Sequence, residues 1–549
     1  MDISKIRNWP VGIQDFKDLR QRGCIYVDKT QYIPQLIAVG KPYFLGRPRR
    51  FGKSLFASTL RYYFEGEKES FRGLAIEAYE KEWKKYPVIY IDFNISSFQT
   101  FHSLEVVIDN ILKKYEAKYG ITDIADDLSV RFSNLIRGAC TDEALKVAVI
   151  IDEYDKPLVN TMENQELNDT IRAFMKGFYG VLKAMDSYLR FVFITGVTKF
   201  SKVSVFSDLN QLTDITMDRA YAGICGITET ELITHFNSDI QTLANENHIP
   251  YEAALAKLKK LYDGYHFAKD SEGVYNPFSI MHTFRRNDFG DYWFETGTPT
   301  MLVKILENNR FDIRKFENDL TIAANSIDDY RFGQIDITPL LYQSGYLTIK
   351  AYDPVLNQYT LGFPNEEVKY GFLVELMPQY APVPGGMVHS FSAAKFVETL
   401  FNGDAEGFMT LLKAFFASIP YDAVKAKHRD EQHYQYTFWM LFKLMGQFVE
   451  TEVKSAQGRA DAVVITADAV YVFEFKLYRS LSNKRSGTKE AATATSPNSA
   501  EAAIRQIDDK GYLIPYSADG KRLVKIGAEF SISKRGIKRW LIKENTVNK

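Results

Sequence analysis

The chain has 549 residues, more than one hydrophobic core can serve, so roughly three or four domains are expected from length alone. Hydrophobic residues at 46% and charged residues at 25% are globular proportions and exclude a mainly disordered chain. A formal net charge of −1 excludes a global field that would drive the protein onto nucleic acid or membrane, so any polyanion must be held by local patches.

Residues 1–230 alternate short apolar runs with amphipathic stretches. Strands are expected near Tyr43–Leu45, Val88–Phe93, Val147–Ile151, Phe191–Thr195 and Ala222–Ile227, and helices over Lys53–Phe64 and Asn168–Met185. This rhythm predicts an α/β domain whose parallel strands are joined by crossover helices. Tyr26–Thr30 is expected to end a strand, with an Asp28 or Thr30 oxygen capping a helix from Gln31. Residues 231–424 follow as a second region, mostly helical to about residue 330, in which Asn276-Pro277 reads as a turn or a helix start. A helix at Ile337–Gln343 then leads into strands Tyr346–Ala351 and Tyr359–Phe363, the pattern of a winged helix but also of many small α+β units. Residues 425–549 form a third unit: a helix (Asp430–Met445), three strands, a helix and a last strand. Within it, residues 478–500 are rich in Ser, Thr, Ala and Lys and are expected to be a mobile loop. Three cysteines, Cys24, Cys140 and Cys225, lie far apart, so no disulfide framework or cysteine-built zinc site is expected. The opening Met-Asp-Ile-Ser-Lys lacks the apolar core of a signal peptide, and no apolar run has the length of a membrane span. The cytoplasm is the expected compartment, without a membrane partner.

The run from Tyr43 to Ser54 leaves a strand and enters a helix through Gly46-Arg47-Pro48-Arg49-Arg50-Phe51-Gly52-Lys53-Ser54. Such a loop aims backbone N–H groups and a helix N-terminus at phosphate oxygens. Lys53 would reach the terminal phosphates, the Ser54 hydroxyl would bind Mg²⁺, and Gly46, Arg49, Arg50 and Gly52 would shape the cradle. Gly46 sits one residue early for the general pattern, and Arg47 stands where glycine is usual. Further on, Val147–Ile151 ends in Asp152-Glu153. Two carboxylates at the tip of a buried strand are costly unless a ligand uses them. Asp152 would hold the Mg²⁺ bound to Ser54, and Glu153 would activate the attacking water; a solvated acidic turn is the plainer alternative. Thr195, Thr198 and Lys199 follow the next strand, where Thr195 could touch the γ-phosphate or the water, and simple turn chemistry explains them equally well.

These residues resemble the AAA-ATPase-like family of bacterial proteins that carry a nuclease-type domain. The resemblance rests on Tyr26-Val27-Asp28-Lys29-Thr30, Arg47–Ser54 and Ile151-Asp152-Glu153-Tyr154-Asp155. Leu261–Tyr265, Tyr275–Ser279 and Tyr342–Leu347 also resemble that family, so the likeness spans nearly the whole chain. It implies an ATP-binding core with an additional strand between the P-loop strand and the Asp-Glu strand, supplied by Val88–Phe93. It also implies that the arginine-rich loop is the family's own form.

A second constellation lies near the other end. Residues 459–465 and 470–476 are strand-like around Thr466-Ala467-Asp468-Ala469. A hairpin centred between Ala467 and Asp468 sets Asp461 opposite Glu474, where like charges repel unless a cation joins them. Lys476 shares their face by strand period, and Phe473 and Phe475 point to the other. Paired carboxylates suit Mg²⁺ or Mn²⁺, and the amine could position a water or steady a phosphate. An exposed hairpin closed by a salt bridge is the bland alternative. Asp461 with Glu474-Phe475-Lys476 resembles the PD-(D/E)XK nuclease superfamily, as does the order of elements. That resemblance implies Glu431 on the preceding helix, with Glu452 as competitor, as a further metal contributor, and Gln506, Lys510 and Tyr512 as polar neighbours. Residues 501–549 carry eleven Lys or Arg against six Asp or Glu, which suits phosphate contact or simply a solvated basic tail.

The sequence therefore leads to ATP and Mg²⁺ as cofactors, with Mn²⁺ usable at the second site, and to DNA or RNA as partner. Lys53, Ser54, Asp152 and Glu153 would turn over ATP, and Asp461, Glu474 and Lys476 would cut a phosphodiester. The alternative is an NTP-driven switch that binds nucleic acid without cutting it. Oligomeric state is left open.

Overall fold

Short runs of Val, Ile, Leu and Phe, long enough for strands, lay down the sheets around which both halves of the chain are built. In the computed structural model, the described residues are 7–39, 42–141, 145–199, 205–206, 209–293, 313–317, 320–327, 336–380, 393–419, 431–446, 450–453, 460–478, 499–518, 520–531 and 536–545. The chain divides into two units, Met1–Thr298 with Lys315–Lys369, and Pro299–Arg314 with Tyr370–Lys549. Among the described residues, no helix is long and apolar enough to cross a membrane.

The first unit holds β1 (Tyr43–Gly46), β2 (Val88–Asp92), β3 (Val147–Asp152), β4 (Leu189–Gly196) and β5 (Thr213–Asp214), all parallel, in the order β2-β3-β4-β1-β5. Every residue of β3 is buried, the mark of a parallel strand covered on both faces. Helix Lys53–Phe64 has its expected bounds, and the expected 168–185 helix runs Gln165–Ala184, started by the Asn164 side chain on the Leu167 N–H. In the chain, β2 falls between the P-loop strand and the Asp-Glu strand. In the sheet, β4 lies between those two, and β2 takes the edge.

Two expected strands do not form. Ala222–Ile227 is a turn that ends in a single bridge from Ile227 to Tyr275, because Gly226 takes φ +90° hard against Val274. The sheet's fifth strand is instead the two-residue β5. Tyr26–Thr30 is also irregular. Asp28 accepts from the Thr30 N–H and hydroxyl at 2.8 and 2.7 Å and from the Ala75 N–H at 2.7 Å, which pins a turn ahead of helix Tyr32–Val39.

Helices Glu229–Glu246, Tyr251–Tyr262 and Pro277–Arg286 pack around Leu232, Phe236, Leu258 and Phe284. Asn276 caps the third, with Pro277 at its first position. The expected helix and hairpin appear as Thr338–Gln343, β7 (Thr348–Asp353) and β8 (Gln358–Gly362). An earlier strand, β6 (Leu320–Ala323), pairs with β8 to make a three-stranded antiparallel sheet.

The second unit orders its sheet β13-β12-β11-β10-β9, from β9 (Glu450–Val453), β10 (Ala462–Ile465), β11 (Ala469–Tyr478), β12 (Arg522–Ser531) and β13 (Gly536–Asn545). β11 and β12 run parallel, joined across helix Ala500–Asp509, and the other pairs are antiparallel. There is thus one strand more than expected, β13. The expected loop at 478–500 lies, from 479 to 498, outside the described residues. On one face of β11, Val470 and Val472 pack with Ile504 and Ile507 of that helix. On the other, Phe473 meets Phe408 and Phe442.

Gly527 on β12 is where the helix comes closest to the sheet. A Cβ there would stand 2.6 Å from the Ala500 carbonyl oxygen and 2.9 Å from Ile504. Gly527→Ala is expected to cost about 1–3 kcal/mol through overpacking. Hydrogen exchange should show lost protection across 500–509, and unchanged protection there would mean that the helix does not rest on this glycine.

Candidate functional site

At the C-terminal edge of the first sheet, β1 turns through the arginine-rich loop into helix Lys53–Phe64. The turn is made by Arg50 at φ +69° and Gly52 at φ +93°. No side chain caps this helix, so its first N–H groups face the space beside Gly52, where a Cβ would meet nothing within 4 Å. The loop's three arginines do not act as one cationic patch. Arg47 turns inward, fully buried, and donates to the carbonyls of Gly46, Thr216 and Tyr221 at 2.9, 2.7 and 2.9 Å, with its guanidinium 4.1 Å over the Phe267 ring. It is a strut that ties the loop to the sheet edge. Arg49 and Arg50 are exposed, and Arg50 lies over Phe278 at 4.5 Å.

Lys53 is 4% exposed, and its Nζ donates to the Pro48 carbonyl at 3.1 Å and lies 3.3 Å from Glu153 Oε1. Asp152, at the tip of β3, accepts from the Thr195 hydroxyl and from the Tyr90 hydroxyl at 3.5 Å. Burial, reinforced by neighbouring Glu153, pushes its carboxyl up to about 6, and the Thr195 and Ser54 hydroxyls oppose that rise. Ser54 thus lies near enough to Asp152 to influence its carboxyl. Thr195 is spent on Asp152 and on the Glu153 N–H at 3.4 Å, so here it orients the two acids. Glu153 has φ +54°, a left-handed backbone that a non-glycine residue adopts at a cost of about 1–3 kcal/mol. The turn is held by the Tyr154 N–H on the Thr195 carbonyl at 2.9 Å. Asp155 locks it further, accepting from Val197 N, Thr198 N and Thr198 Oγ1 at 3.1, 2.7 and 2.6 Å. Sequence reasoning named Asp155 only within the family motif, without a role, and did not name Tyr90. The signal for Asp155 was there, a third acid within four residues of a strand tip.

In the second unit, the β10–β11 register pairs Ala462 with Phe473 and Val463 with Val472. Continued one step, it sets Asp461 opposite Glu474, the pairing expected from the hairpin centre. Asp461 Oδ2 accepts from the Phe475 N–H at 2.8 Å. Glu474 is 3% exposed; its Oε1 faces Lys476 Nζ at 3.1 Å, and its buried Oε2 has no close hydrogen-bond partner among the described residues. Burial first, and then the Asp461 charge, push the Glu474 carboxyl up to about 7, and burial raises Asp461 as well. A buried acceptor without a donor, beside a second carboxylate of raised pKa, is the setting that a divalent cation would satisfy. Lys476 also donates to Gln506 Oε1, and the Gln506 amide donates to the Tyr512 hydroxyl at 3.2 Å. Glu431 lies on helix Glu431–Met445 and Glu452 on β9 opposite Val463, but both side chains lie outside the described residues. Among the described residues, no group of three or more His, Cys, Asp or Glu converges as a metal cluster. Several basic residues of the tail are paired: Lys525 with Asp508, Lys538 with Glu529 and Arg539 with Glu501.

Residues 10–206 match the family described as predicted AAA-ATPase, and residues 429–540 match the PD-(D/E)XK nuclease superfamily. Over 533 residues, 96% of this chain and 97% of its relative, the protein is 35% identical to an uncharacterized protein in the vnfD 5' region of Azotobacter chroococcum mcd 1.

The Glu474 shift has a testable sign. Its folded pKa, about 7, lies above the ordinary 4.5, so between those values the folded chain holds more protons than the unfolded one. This group's contribution to stability therefore falls as pH rises through that window and stays low above it. A divalent ion competes for the ionised form, so the rise in melting temperature on adding Mn²⁺ without nucleotide should be larger at pH 8 than at pH 5.5. Glu474→Gln should abolish the difference. An equal Mn²⁺ shift at both pH values would remove the carboxylate pair as its site.

Proposed function

The chain belongs to the AAA-ATPase-like proteins that carry a C-terminal PD-(D/E)XK nuclease-superfamily domain, and from that premise we propose that it hydrolyses ATP and uses the energy to govern a metal-dependent cut in DNA or RNA. The observation that supports the cutting activity is the buried Asp461–Glu474 pair beside Lys476, with a Glu474 oxygen that has no close hydrogen-bond partner among the described residues. The three cysteines form no disulfide, which suits the reducing cytoplasm as its compartment.

At the first site, the N–H groups of helix Lys53–Phe64 cradle the ATP phosphates, and Lys53 exchanges its contact with Glu153 for the terminal phosphate oxygens. Ser54 and Asp152 hold Mg²⁺. Released from Lys53, Glu153 accepts the proton of the water that attacks the γ-phosphorus, aimed by its fixed left-handed turn. At the second site, Asp461 and Glu474 hold a divalent ion. Once bound, that ion polarises the scissile phosphate and makes its water more acidic. Lys476, steadied by Gln506, stabilises the negative charge that builds on the phosphate oxygens.

One observation favours a second function. Only two acidic side chains meet at the metal position among the described residues, a set that could hold a nucleic-acid phosphate through an ion without cutting it. Such a protein would be an ATP-driven switch.

The two are separated by incubating labelled single- and double-stranded DNA and RNA with ATP and with Mg²⁺ or Mn²⁺, each varied independently. Glu474→Ala should lower cutting by at least about a hundredfold and leave ATP turnover intact. Lys53→Ala should abolish ATP turnover and any ATP dependence of cutting. ATP turnover without cleavage under either metal would leave the switch, and metal-dependent cutting unaffected by Lys53→Ala would leave a nuclease without ATP control.

A further inference from the structure

The tip of β4 does not end at the nucleotide site. Beyond the Asp155 clamp, Lys199 is 2% exposed, and its backbone N–H donates to Gln343 Oε1 at 2.8 Å, across 144 residues of sequence. Its Nζ pairs with Asp214 Oδ2 on β5 at 2.9 Å. The Gln343 amide in turn donates to the Ile327 carbonyl at 3.2 Å, so both ends of this buried side chain are engaged.

Gln343 is the last residue of helix Thr338–Gln343, two positions ahead of Gly345 and five ahead of β7. The same turn meets the phosphate loop from the other side. Gly345 has φ +90°, and a Cβ there would stand 2.7 Å from Pro48 Cβ. Trp293 Nε1 donates to the Arg49 carbonyl at 3.2 Å, and its ring packs edge-on against Tyr346 at 5.4 Å. One short turn therefore touches both structures that must adjust when a γ-phosphate arrives or leaves: the loop that holds it and the strand tip that orients Asp152 and Glu153.

We propose that Gln343 and the turn after it read the nucleotide state and pass it to the β7–β8 hairpin. The inference rests on the ATP chemistry proposed above. Packed interiors do not deform continuously, so a shift of the β4 tip against the phosphate loop must move this turn or break its hydrogen bonds. Gln343 touches no phosphate in this scheme; it is a positioning residue that acts through Lys199.

The test is hydrogen exchange over residues 348–362 in the full chain, with no nucleotide, with ADP and with a non-hydrolysable ATP analogue. ATP affinity is measured alongside by fluorescent-nucleotide titration. In the wild type, exchange in the hairpin should differ between ADP and the analogue by at least about fivefold. Gln343→Leu, which removes the acceptor for Lys199, should keep nucleotide affinity within about threefold and lose that difference. Gln343→Glu keeps an acceptor oxygen for the Lys199 N–H and should retain the difference, which guards against a misfolded leucine variant. A wild-type hairpin that is indifferent to a bound nucleotide would overturn the proposal, as would a Gln343→Leu hairpin that responds like wild type. Absence of any nucleotide binding would instead sink the ATP chemistry itself, and this inference with it.

Discussion

A carboxylate shut away from water at the end of a β-strand must be answered by a proton, a cation or a set of hydrogen-bond donors, since its isolated charge is too costly to bury. Both candidate sites are built on that constraint. Asp152 and Asp155 end or follow β3, Glu474 lies within β11, and all three are almost wholly buried. What differs is how each is answered. Asp155 is satisfied within the chain by two N–H groups and a hydroxyl, and so it holds structure. Asp152 shares hydroxyls from Thr195 and Tyr90 and keeps a raised pKa. Among the described residues, one Glu474 oxygen is left without a close hydrogen-bond partner. The order runs from strut to ligand.

The same constraint explains why lysines accompany the acids. Lys53 lies beside Glu153 and Lys476 beside Glu474, each at hydrogen-bonding or near-contact distance. In a surface pair such proximity would contribute little. In the proposed reactions, a phosphate oxygen would compete with the acid for each lysine. The acid–base pair is thereby coupled to arrival of the anion that both proposed reactions act on.

How much of this was legible in the sequence depended on the range over which each contact is specified. The helix Lys53–Phe64 and the strand β3 follow from local periodicity and propensity, and both were foreseen closely. The opposition of Asp461 and Glu474 was also legible, because a short turn and a two-residue period set register without any distant partner. Arg47 was not, since two of the three carbonyls that claim it lie 169 and 174 residues away, and a charged loop residue looks like a phosphate ligand until those partners are seen. The expected strand at Ala222–Ile227 failed for a similar reason. Its apolar residues read as strand, but the Tyr221 carbonyl is taken by Arg47 and Gly226 is pressed against Val274, so the segment serves as a buttress.

Long-range contacts of this kind also show why the middle of the chain resisted assignment. From sequence, residues 231–424 formed a mostly helical region that ended in a possible winged helix. The structure places residues 315–369 with the first unit and the chain from Tyr370 with the second. Within the first, Gln343, Gly345 and Tyr346 close against the phosphate loop, directly or through Trp293, and against the β4 tip. None of these residues carries a charge, so the stretch Tyr342–Leu347 stood out in the sequence only as a family likeness, without a role. Their role comes from shape and satisfied hydrogen bonds: a glycine that lets Pro48 approach, and an amide whose two ends bridge Lys199 and Ile327. If the loop Gly46–Ser54 holds a nucleotide as proposed, it cannot shift without disturbing neighbours that are distant in sequence, and that dependence would suit it to controlling something other than itself.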